Sequence, residues 1–199
     1  MTVIYQILFL IATYAVAAIP FGLVVTKIAT GKDIRQFGSK NIGATNVTRI
    51  AGKKLGFLTL ILDAFKGAAM VIIARFNFEN LNNLHLFLVL VSATAVIAHI
   101  YPIYLNFKGG KGVATSIATL FALDTLVGFL VLCFWIMTFS LFRISAVASL
   151  IAIFSSIILS YNYDAPIEQI VFCWLLFALV AVRHKENITR LLIGEEKKL

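Results

Sequence analysis

Runs of apolar residues recur along the whole chain and are separated by short polar stretches. A membrane core about 30 Å thick is crossed by about 20 helical residues, so this pattern predicts helices that span a bilayer repeatedly. The segments lie at about residues 5–26, 55–75, 84–106, 113–123, 126–142, 145–161 and 167–182. They predict an all-α protein, a polytopic membrane helical bundle with seven transmembrane segments in a single domain, residues 1–199.

Two of these segments depart from a simple crossing. Pro20 lies in the second half of the first segment, and because proline removes a backbone hydrogen bond we expect a kink there. Residues 113–123 would extend only about 16 Å as a helix, roughly half of a bilayer. We expect a short or half-depth helix buried by its neighbours. The alternative is five long spans with broken pieces between them.

The composition agrees with a membrane protein, because 61% of the 199 residues are hydrophobic, far above the usual share in soluble domains. The first segment has no basic region before it, so we do not expect a cleaved signal peptide. Cys133 and Cys173 both lie inside apolar segments, and we expect them to be small buried hydrophobes without a disulfide or metal role.

The formal net charge of +8 is distributed unevenly and predicts the orientation. Seven crossings place most lysines and arginines on one side: those of residues 27–54, Lys108, Lys111, Arg143 and the tail after Val182. The opposite side receives Arg75, Glu79, Asp124, Asp164 and Glu168. By the positive-inside rule the first side is cytoplasmic, with the N-terminus outside and the C-terminus in the cytoplasm.

Residues 107–115 combine two lysines and three glycines between apolar segments. Glycine lets backbone N–H groups point into one concavity, and lysine adds positive charge, so the stretch suits a phosphate or another small anion. The alternative is a basic anchor that reaches lipid headgroups. Such an anchor needs lysine but no glycine, which favours anion binding.

Residues 38–47, with Arg49 two residues further on, form a second polar cluster on the same side. Its hydroxyls and amides can donate hydrogen bonds, and Arg49 can bind a phosphate bidentately. A nucleotide-binding P-loop is not expected, because no lysine precedes Thr45 and no strand precedes the loop. A solvated loop with Ser39 and Asn41 as helix N-caps remains an equal alternative.

The third cluster is residues 183–188, where the last segment leaves the membrane. His184 could act as a general base, although a basic helix end that complements the helix dipole fits the local sequence equally well. Within the spans, Asp63 and Lys66 share a helix face, and a structural ion pair is favoured over a catalytic one. His99 fits a helix-end histidine better than a ligand.

These residues resemble the bacterial membrane acyl-phosphate:glycerol-3-phosphate acyltransferases, the PlsY family. The resemblance covers essentially the full length and rests on three motifs in order, residues 38–46, 99–115 and 183–195, with residues 19–22 and Asp63-x-x-Lys66-Gly67 in addition. The chain departs from the family pattern at a few positions: Lys40 replaces a usual glycine, Ala98 and Tyr101 replace glycine and phenylalanine, and Ala146 replaces a serine that has Ser145 and Ser149 nearby.

The resemblance implies an integral enzyme of the bacterial inner membrane, with its active site facing the cytoplasm. It implies transfer of a fatty acyl group from acyl phosphate to the 1-hydroxyl of glycerol 3-phosphate, giving lysophosphatidic acid and phosphate. We expect membrane lipid around a monomer, and no metal, cofactor or nucleic acid. The alternatives are an organic-phosphate transporter, which should show midplane polar residues and inverted repeats, and a non-enzymatic scaffold.

With this resemblance we assign expected roles to the clusters. For acyl phosphate the expected ligands are Ser39, Asn41, Gly43, Thr45 and the backbone of Gly109 and Gly110. For glycerol 3-phosphate they are Arg49, Lys108, His184 and Asn187, and Lys111 supplies charge at the leaving phosphate. Further expected substrate contacts are Asn46, Ser145 and Ser149, and the candidates for a direct part in catalysis are His184, Lys108 and Ser39.

Overall fold

A computed structural model describes residues 3–198, and over this range the chain folds into ten α-helices. They are α1 Val3–Ala17, α2 Phe21–Thr30, α3 Ala44–Ala51, α4 Lys53–Asn77, α5 Leu84–Ile100, α6 Val113–Leu123, α7 Thr125–Phe142, α8 Ser145–Asn162, α9 Ile167–Arg183 and α10 Lys185–Leu192. Each of the seven predicted segments is helical. The short helices α3 and α10, which lie in polar stretches, were not predicted.

Five helical stretches are long and apolar enough to cross a membrane: residues 3–30, α4, residues 84–105, α7 and α8. A sixth results if α9 and α10, bent by 63° relative to each other, are taken together. The molecule is therefore an all-α, multi-pass membrane protein, as predicted. The expected kink is present, since α1 ends at Ala17 and α2 begins directly after Pro20.

The short apolar helix α6 lies against α4 and is largely buried by its neighbours, as expected. The Thr115 hydroxyl donates to the Asp63 carbonyl at 2.9 Å near the start of α6. At its other end, the Arg75 guanidinium donates to the Ala122 and Leu123 carbonyls at 3.0 and 2.9 Å. Asp63 is ten residues into α4, about 15 Å along the helix, so α6 begins beside the middle of α4 and not beside its end.

Apolar side chains fill the core and also cover the outer surface of the bundle, as expected for a protein surrounded by lipid. Val71, Val91 and Leu120 are fully buried where α4, α5 and α6 meet. Large apolar side chains cover the outside of the bundle, among them Phe65, Phe129 and Leu175. In water such a surface would be unfavourable, whereas lipid solvates it, so these residues mark the lipid-facing surface.

Asp63 and Lys66 form the predicted ion pair inside the bundle. Their Oδ1 and Nζ atoms lie 2.9 Å apart, and both side chains are almost completely buried. The Lys66 ammonium also donates to the Ile19 carbonyl at 2.7 Å, beside the break between α1 and α2. The pair therefore links the kink at Pro20 to α4.

Candidate active site

A cavity of about 570 Å³ opens among α3, α4, α6, α7, α8 and the junction of α9 with α10. One part is polar and is lined by Ser39, Asn41, Thr45, Arg49, Asp63, His99, Lys111, Ser145, Ser149, His184, Asn187 and Glu196. The other part is apolar and is lined by Leu60, Ile61, Ile117, Phe121, Leu132, Trp135 and Ile136. The three clusters separated in sequence thus meet at one cavity.

The loop before α3 is held in shape by Asn46. Its Nδ2 donates to the carbonyls of Asn41 and Phe37 at 2.8 and 3.1 Å, and its Oδ1 accepts from the Ser39 N–H at 3.0 Å. Although Asn46 lines the cavity, its polar atoms are engaged within the loop, so the structure gives it an organising role where the sequence suggested a substrate contact.

Ser39 and Asn41 are not helix N-caps, because Gly43 occupies the N-cap position of α3. The Asn41 Oδ1 accepts from the Gly43 N–H at 2.8 Å, which closes a tight turn directly before the helix. Of the two interpretations of this cluster, the structure excludes capping by these residues. Ser39, Asn41, Gly43, Thr45 and Arg49 all line the cavity.

Hydroxyl groups from α3 and α8 line one wall. Thr45 Oγ1 and Ser145 Oγ lie 3.1 Å apart, and Ser149 Oγ donates to the Ser145 carbonyl at 2.7 Å. Ser145 and Ser149 therefore both border the cavity, together with Ala146 between them. Ser149 Oγ also accepts from the Trp135 indole N–H at 3.3 Å, which fixes that ring beside the apolar part.

The glycine-lysine stretch is built differently from the expectation. The N–H groups of Gly109 and Gly110 donate to the carbonyls of Ile100 and His99 at 3.0 and 3.2 Å, so neither amide is free for a phosphate. A Cβ on Gly110 would overlap the His99 ring. These glycines are needed for close packing against the end of α5, and Lys108 is exposed outside the cavity lining.

Free amides lie instead at the start of α6. Within the described part of the chain, the N–H groups of Val113 and Ala114 have no hydrogen-bond acceptor, and both residues line the cavity. The first N–H groups of a helix carry partial positive charge and bind anions. The expected amide donors, Gly109 and Gly110, lie four residues before these amides. The position at which the turn ends and the helix begins cannot be located from composition alone.

Lys111 and Asn187 supply the centre of the polar part. The Lys111 ammonium donates to the Asn187 Oδ1. The Asn187 Nδ2 donates to Glu196 Oε1 at 2.6 Å, and Glu196 Oε2 accepts from Arg190 Nε at 2.7 Å. Burial lowers the pKa of Lys111 to about 8, with Glu196 opposing the shift. Glu196 was not among the predicted site residues.

His184, directly after α9, is buried with its Nδ1–H donating to the Val180 carbonyl at 2.8 Å. This bond fixes the neutral tautomer and leaves Nε2 as an acceptor for a ligand in the cavity. Burial lowers the pKa of His184 to about 4, and the Lys111 charge adds to the shift. The ring is therefore neutral at pH 7 and a weak base.

Asp63 and His99 also line the cavity, where the sequence indicated only structural roles. His99 Nδ1 lies 3.6 Å from Asp63 Oδ1, whose charge is balanced by Lys66. The signal that could have placed them at the site is their position: ionisable residues inside a span usually mark a functional region. The apolar lining had no comparable signal, because its residues are typical of any membrane helix.

The fold and cavity define a class: a multi-pass membrane protein whose pocket joins a polar part with cationic side chains to an apolar part. Residues 7–194 match the family model described as glycerol-3-phosphate acyltransferase. A glycerol-3-phosphate acyltransferase of Caulobacter vibrioides (strain NA1000 / CB15N) is 40% identical over 190 residues, covering 96% of this chain and 86% of the relative. One from Ehrlichia canis (strain Jake) is 39% identical over 190 residues, covering 96% of each chain.

The solved structures agree. The crystal structure of PlsY (YgiH), an integral membrane glycerol 3-phosphate acyltransferase, in its glycerol 3-phosphate form is 35% identical in sequence, with a TM-score of 0.91 over 98% of this chain and 96% of that chain. The chain belongs to the glycerol-3-phosphate acyltransferase family and is an integral membrane acyltransferase.

Proposed function

We propose that the protein transfers a fatty acyl group from acyl phosphate to the 1-hydroxyl of glycerol 3-phosphate, releasing lysophosphatidic acid and inorganic phosphate. The observation that carries this proposal is the continuity of the cavity from a cationic, amide-rich part to an apolar part. An acyl phosphate has the same division, with a phosphate at one end and a hydrocarbon chain at the other.

The apolar part suits the acyl chain. Its wall is formed by α4, α6 and α7, with Ile61, Phe121 and Ile136 among the lining residues. Burying a chain against such residues is worth about 0.8 kcal/mol per methylene. The acyl carbon then lies where the apolar part meets Lys111, Thr45 and the first amides of α6.

The polar part suits two phosphates. We assign the donor phosphate to Asn41, Thr45, the amides of Val113 and Ala114, and Lys111, with Ser39 and Gly43 bordering it. We assign the phosphate of glycerol 3-phosphate to Arg49 and Asn187, and its hydroxyl to His184. Each phosphate carries about two negative charges at neutral pH, so neutralisation by fixed cations and amides is the main requirement.

The reaction itself needs little covalent assistance. The 1-hydroxyl oxygen bonds to the acyl carbon, the bond from that carbon to the phosphate oxygen breaks, and the hydroxyl proton passes to the departing phosphate. Among the described residues that line the cavity, no serine hydroxyl is hydrogen-bonded to a histidine, which gives no support to an acyl-enzyme intermediate. The rate acceleration comes mainly from holding the two bound substrates close together in the correct orientation.

Because the pKa of His184 is lowered to about 4, we propose that this residue orients the hydroxyl and that the donor phosphate takes the proton. His184→Gln is then expected to raise the KM for glycerol 3-phosphate while leaving the pH profile of kcat unchanged. The measurement is steady-state phosphate release over a range of pH. If His184→Gln instead lost the acidic limb of the pH profile of kcat and most of kcat itself, His184 would be identified as the base.

Purified protein with palmitoyl phosphate and glycerol 3-phosphate tests the whole proposal. We expect phosphate and lysophosphatidic acid in equal amounts, and none of the lipid when glycerol 3-phosphate is omitted. Uptake of glycerol 3-phosphate into proteoliposomes without lysophosphatidic acid formation would favour a transporter. The active site is assigned to the cytoplasmic side of the bacterial inner membrane, on the basis of the charge distribution described above.

A further inference from the structure

Arg183 is the last residue of α9 and lies at the bend where the chain turns by 63° into α10. The sequence by itself allows this arginine to be a basic helix end that complements the helix dipole. Its guanidinium contacts a different segment instead, because Nη2 donates at 3.3 Å to the carbonyl of Gly109, 74 residues earlier in the chain. The dipole of α9 does not account for this contact.

An aromatic ring holds the guanidinium in this position. The Arg183 Cζ atom lies 5.7 Å from the centroid of the Tyr101 ring, within the range of a cation–π contact. Tyr101 is fixed in turn, because its carbonyl accepts from the Tyr14 hydroxyl at 2.6 Å. A planar guanidinium can stack on a ring and donate from its edge at the same time, which a lysine ammonium cannot do. The arrangement is therefore specific for arginine.

Gly109, which accepts from Arg183, is held from two directions. Its N–H donates to the Ile100 carbonyl at the end of α5 at 3.0 Å, and its carbonyl accepts from the guanidinium. A Cβ at this position would overlap the His99 carbonyl and the Pro102 ring, so the chain fits tightly here. Residue 109 is thus a fixed point, two residues before the chain joins the cavity lining.

Two contacts join the glycine-lysine stretch, residues 107–115, to the junction of α9 with α10. One is the bond from Arg183 to Gly109, and the other is the bond from the Lys111 ammonium to Asn187 Oδ1. His184 and Asn187 of this junction line the cavity. Among the described residues Arg183 is not part of that lining, so it can position a substrate only through the residues that it holds.

We propose that Arg183 is a positioning residue, which ties the glycine-lysine stretch to the α9–α10 junction and so places the Lys111 ammonium at the departing phosphate. An ammonium on a flexible four-carbon stem gains little orientation from its own side chain, so its position depends on the backbone that carries it. A displacement of about 1 Å can cost about a hundredfold in rate. This role rests on the proposed function for the part that Lys111 takes in the reaction.

The test is a double-mutant cycle of Arg183→Gln and Lys111→Gln, measured as phosphate release from palmitoyl phosphate in the presence of glycerol 3-phosphate. Arg183→Gln alone is expected to lower kcat roughly tenfold, with little change in the KM for glycerol 3-phosphate. In the Lys111→Gln background the same change is expected to alter kcat by less than about twofold, because the group that it positions is gone. An equal loss of kcat in both backgrounds would overturn the inference.

Two further variants separate positioning from charge, and melting temperatures in detergent confirm that each variant is folded. Arg183→Lys keeps the positive charge but loses the stack on Tyr101, so it is expected to lose most of the kcat that Arg183→Gln loses. A wild-type kcat in Arg183→Lys would show that the charge alone is needed. Lys185→Gln, the matched control, removes one charge from an exposed side chain two residues away and is expected to keep the wild-type kcat. If it lost as much as Arg183→Gln, the positioning role would be wrong.

Binding of inorganic phosphate, measured by titration calorimetry on purified full-length protein, keeps the test independent of the reaction. If the protein proves inactive with palmitoyl phosphate and glycerol 3-phosphate, the proposed function fails. The placement of Lys111 by Arg183 still predicts that Arg183→Gln binds phosphate more weakly than Lys185→Gln does. It also predicts that Arg183→Gln causes no further loss of affinity once Lys111 is glutamine. Equal phosphate affinity in Arg183→Gln and Lys185→Gln would overturn the positioning role whatever the reaction.

Discussion

Among single residues, Lys111 connects the geometry of the pocket most directly to a measurable pH dependence. Burial lowers its pKa from 10.5 to about 8, so the ammonium is charged below about pH 8 and neutral above it. If this charge neutralises the departing phosphate, activity must fall as pH rises through that value. Arginine at this position stays charged at any accessible pH.

We therefore expect kcat/KM to decline above about pH 8 in the wild type. In Lys111→Arg the decline should move to higher pH, even if the maximum is lower. The measurement is the pH profile of kcat/KM, which reports groups of the free enzyme. Hydrolysis of the donor without enzyme is subtracted at each pH. An identical alkaline limb in both proteins would show that another group titrates.

Lys40 shows how a departure from the family pattern affects stability. It stands where the family usually has glycine, and its φ of 58° is in the left-handed region, which costs an L-residue about 1–2 kcal/mol. The side chain is exposed, so its removal breaks no buried contact. The strain at Lys40 is thus the main contribution that glycine would relieve.

Lys40→Gly is expected to leave stability unchanged or raise it by up to about 1 kcal/mol, because relief of strain outweighs the added freedom of the unfolded chain. Lys54→Gly, the same change at an exposed helical position of α4, should lower stability by about 0.5–1 kcal/mol. Thermal unfolding in detergent compares the two. If Lys40→Gly lost more thermal stability than Lys54→Gly, the inference of backbone strain at Lys40 would be wrong.

At the scale of elements, the connection between α5 and α6 determines where the pocket lies. Residues 109 and 110 run directly against the end of α5, with their amides bonded to Ile100 and His99. This antiparallel contact brings the first turn of α6 next to His99 and Asp63. The contact is possible because residue 110 has no side chain to collide with the imidazole.

Gly110→Ala is therefore expected to lower stability by about 2–3 kcal/mol, as overpacking does in a tight interior. Gly31→Ala is the control: its added Cβ meets open space, and only its φ of 70° causes strain, about 1 kcal/mol. Melting temperatures in detergent measure both. If Gly110→Ala melts at the same temperature as Gly31→Ala, the inference that residue 110 packs closely against the His99 ring is wrong.

At the scale of the whole molecule, the charge asymmetry predicts which loops face the cytoplasm. Lys32 lies between α2 and α3, on the side of the polar cavity and the basic tail. Glu79 lies after α4 on the opposite side, near the Arg75 contacts that hold the far end of α6. Both side chains are exposed.

Single cysteines at these positions test the orientation, with Cys133 and Cys173 replaced by alanine. A membrane-impermeant maleimide applied to intact spheroplasts should label Glu79→Cys and should label Lys32→Cys only after lysis. Acyltransferase activity of the cysteine-free parent confirms that it folds. The opposite labelling pattern would invert the topology and place the pocket on the outer side.

Much of this architecture was predictable from the sequence. The apolar segments gave the helices, because a bilayer permits little other backbone structure. Pro20 predicted the break between α1 and α2. The three-residue spacing of Asp63 and Lys66 predicted their ion pair. Arg49, Lys111, His184 and Asn187 all line one cavity, whereas Lys108, which was expected beside them, lies outside it.

The remaining features depend on contacts between distant parts of the chain. Gly109 and Gly110 have the composition of an anion-binding loop, yet their amides are bonded to carbonyls that only the return of the chain past α5 provides. Asp63 and His99 reach the cavity because α6 packs against α4 at that depth. Glu196 enters the pocket because Gly194 reverses the chain.

The sequence by itself determined where the apolar segments lie and which polar and cationic residue types are available for a site, since each follows from local composition and spacing. Only the tertiary structure decided which amides remain free, which buried charges border the cavity and where the tail lies. Those properties depend on the hydrogen-bond partner and the neighbour that each group finds after the helices have packed.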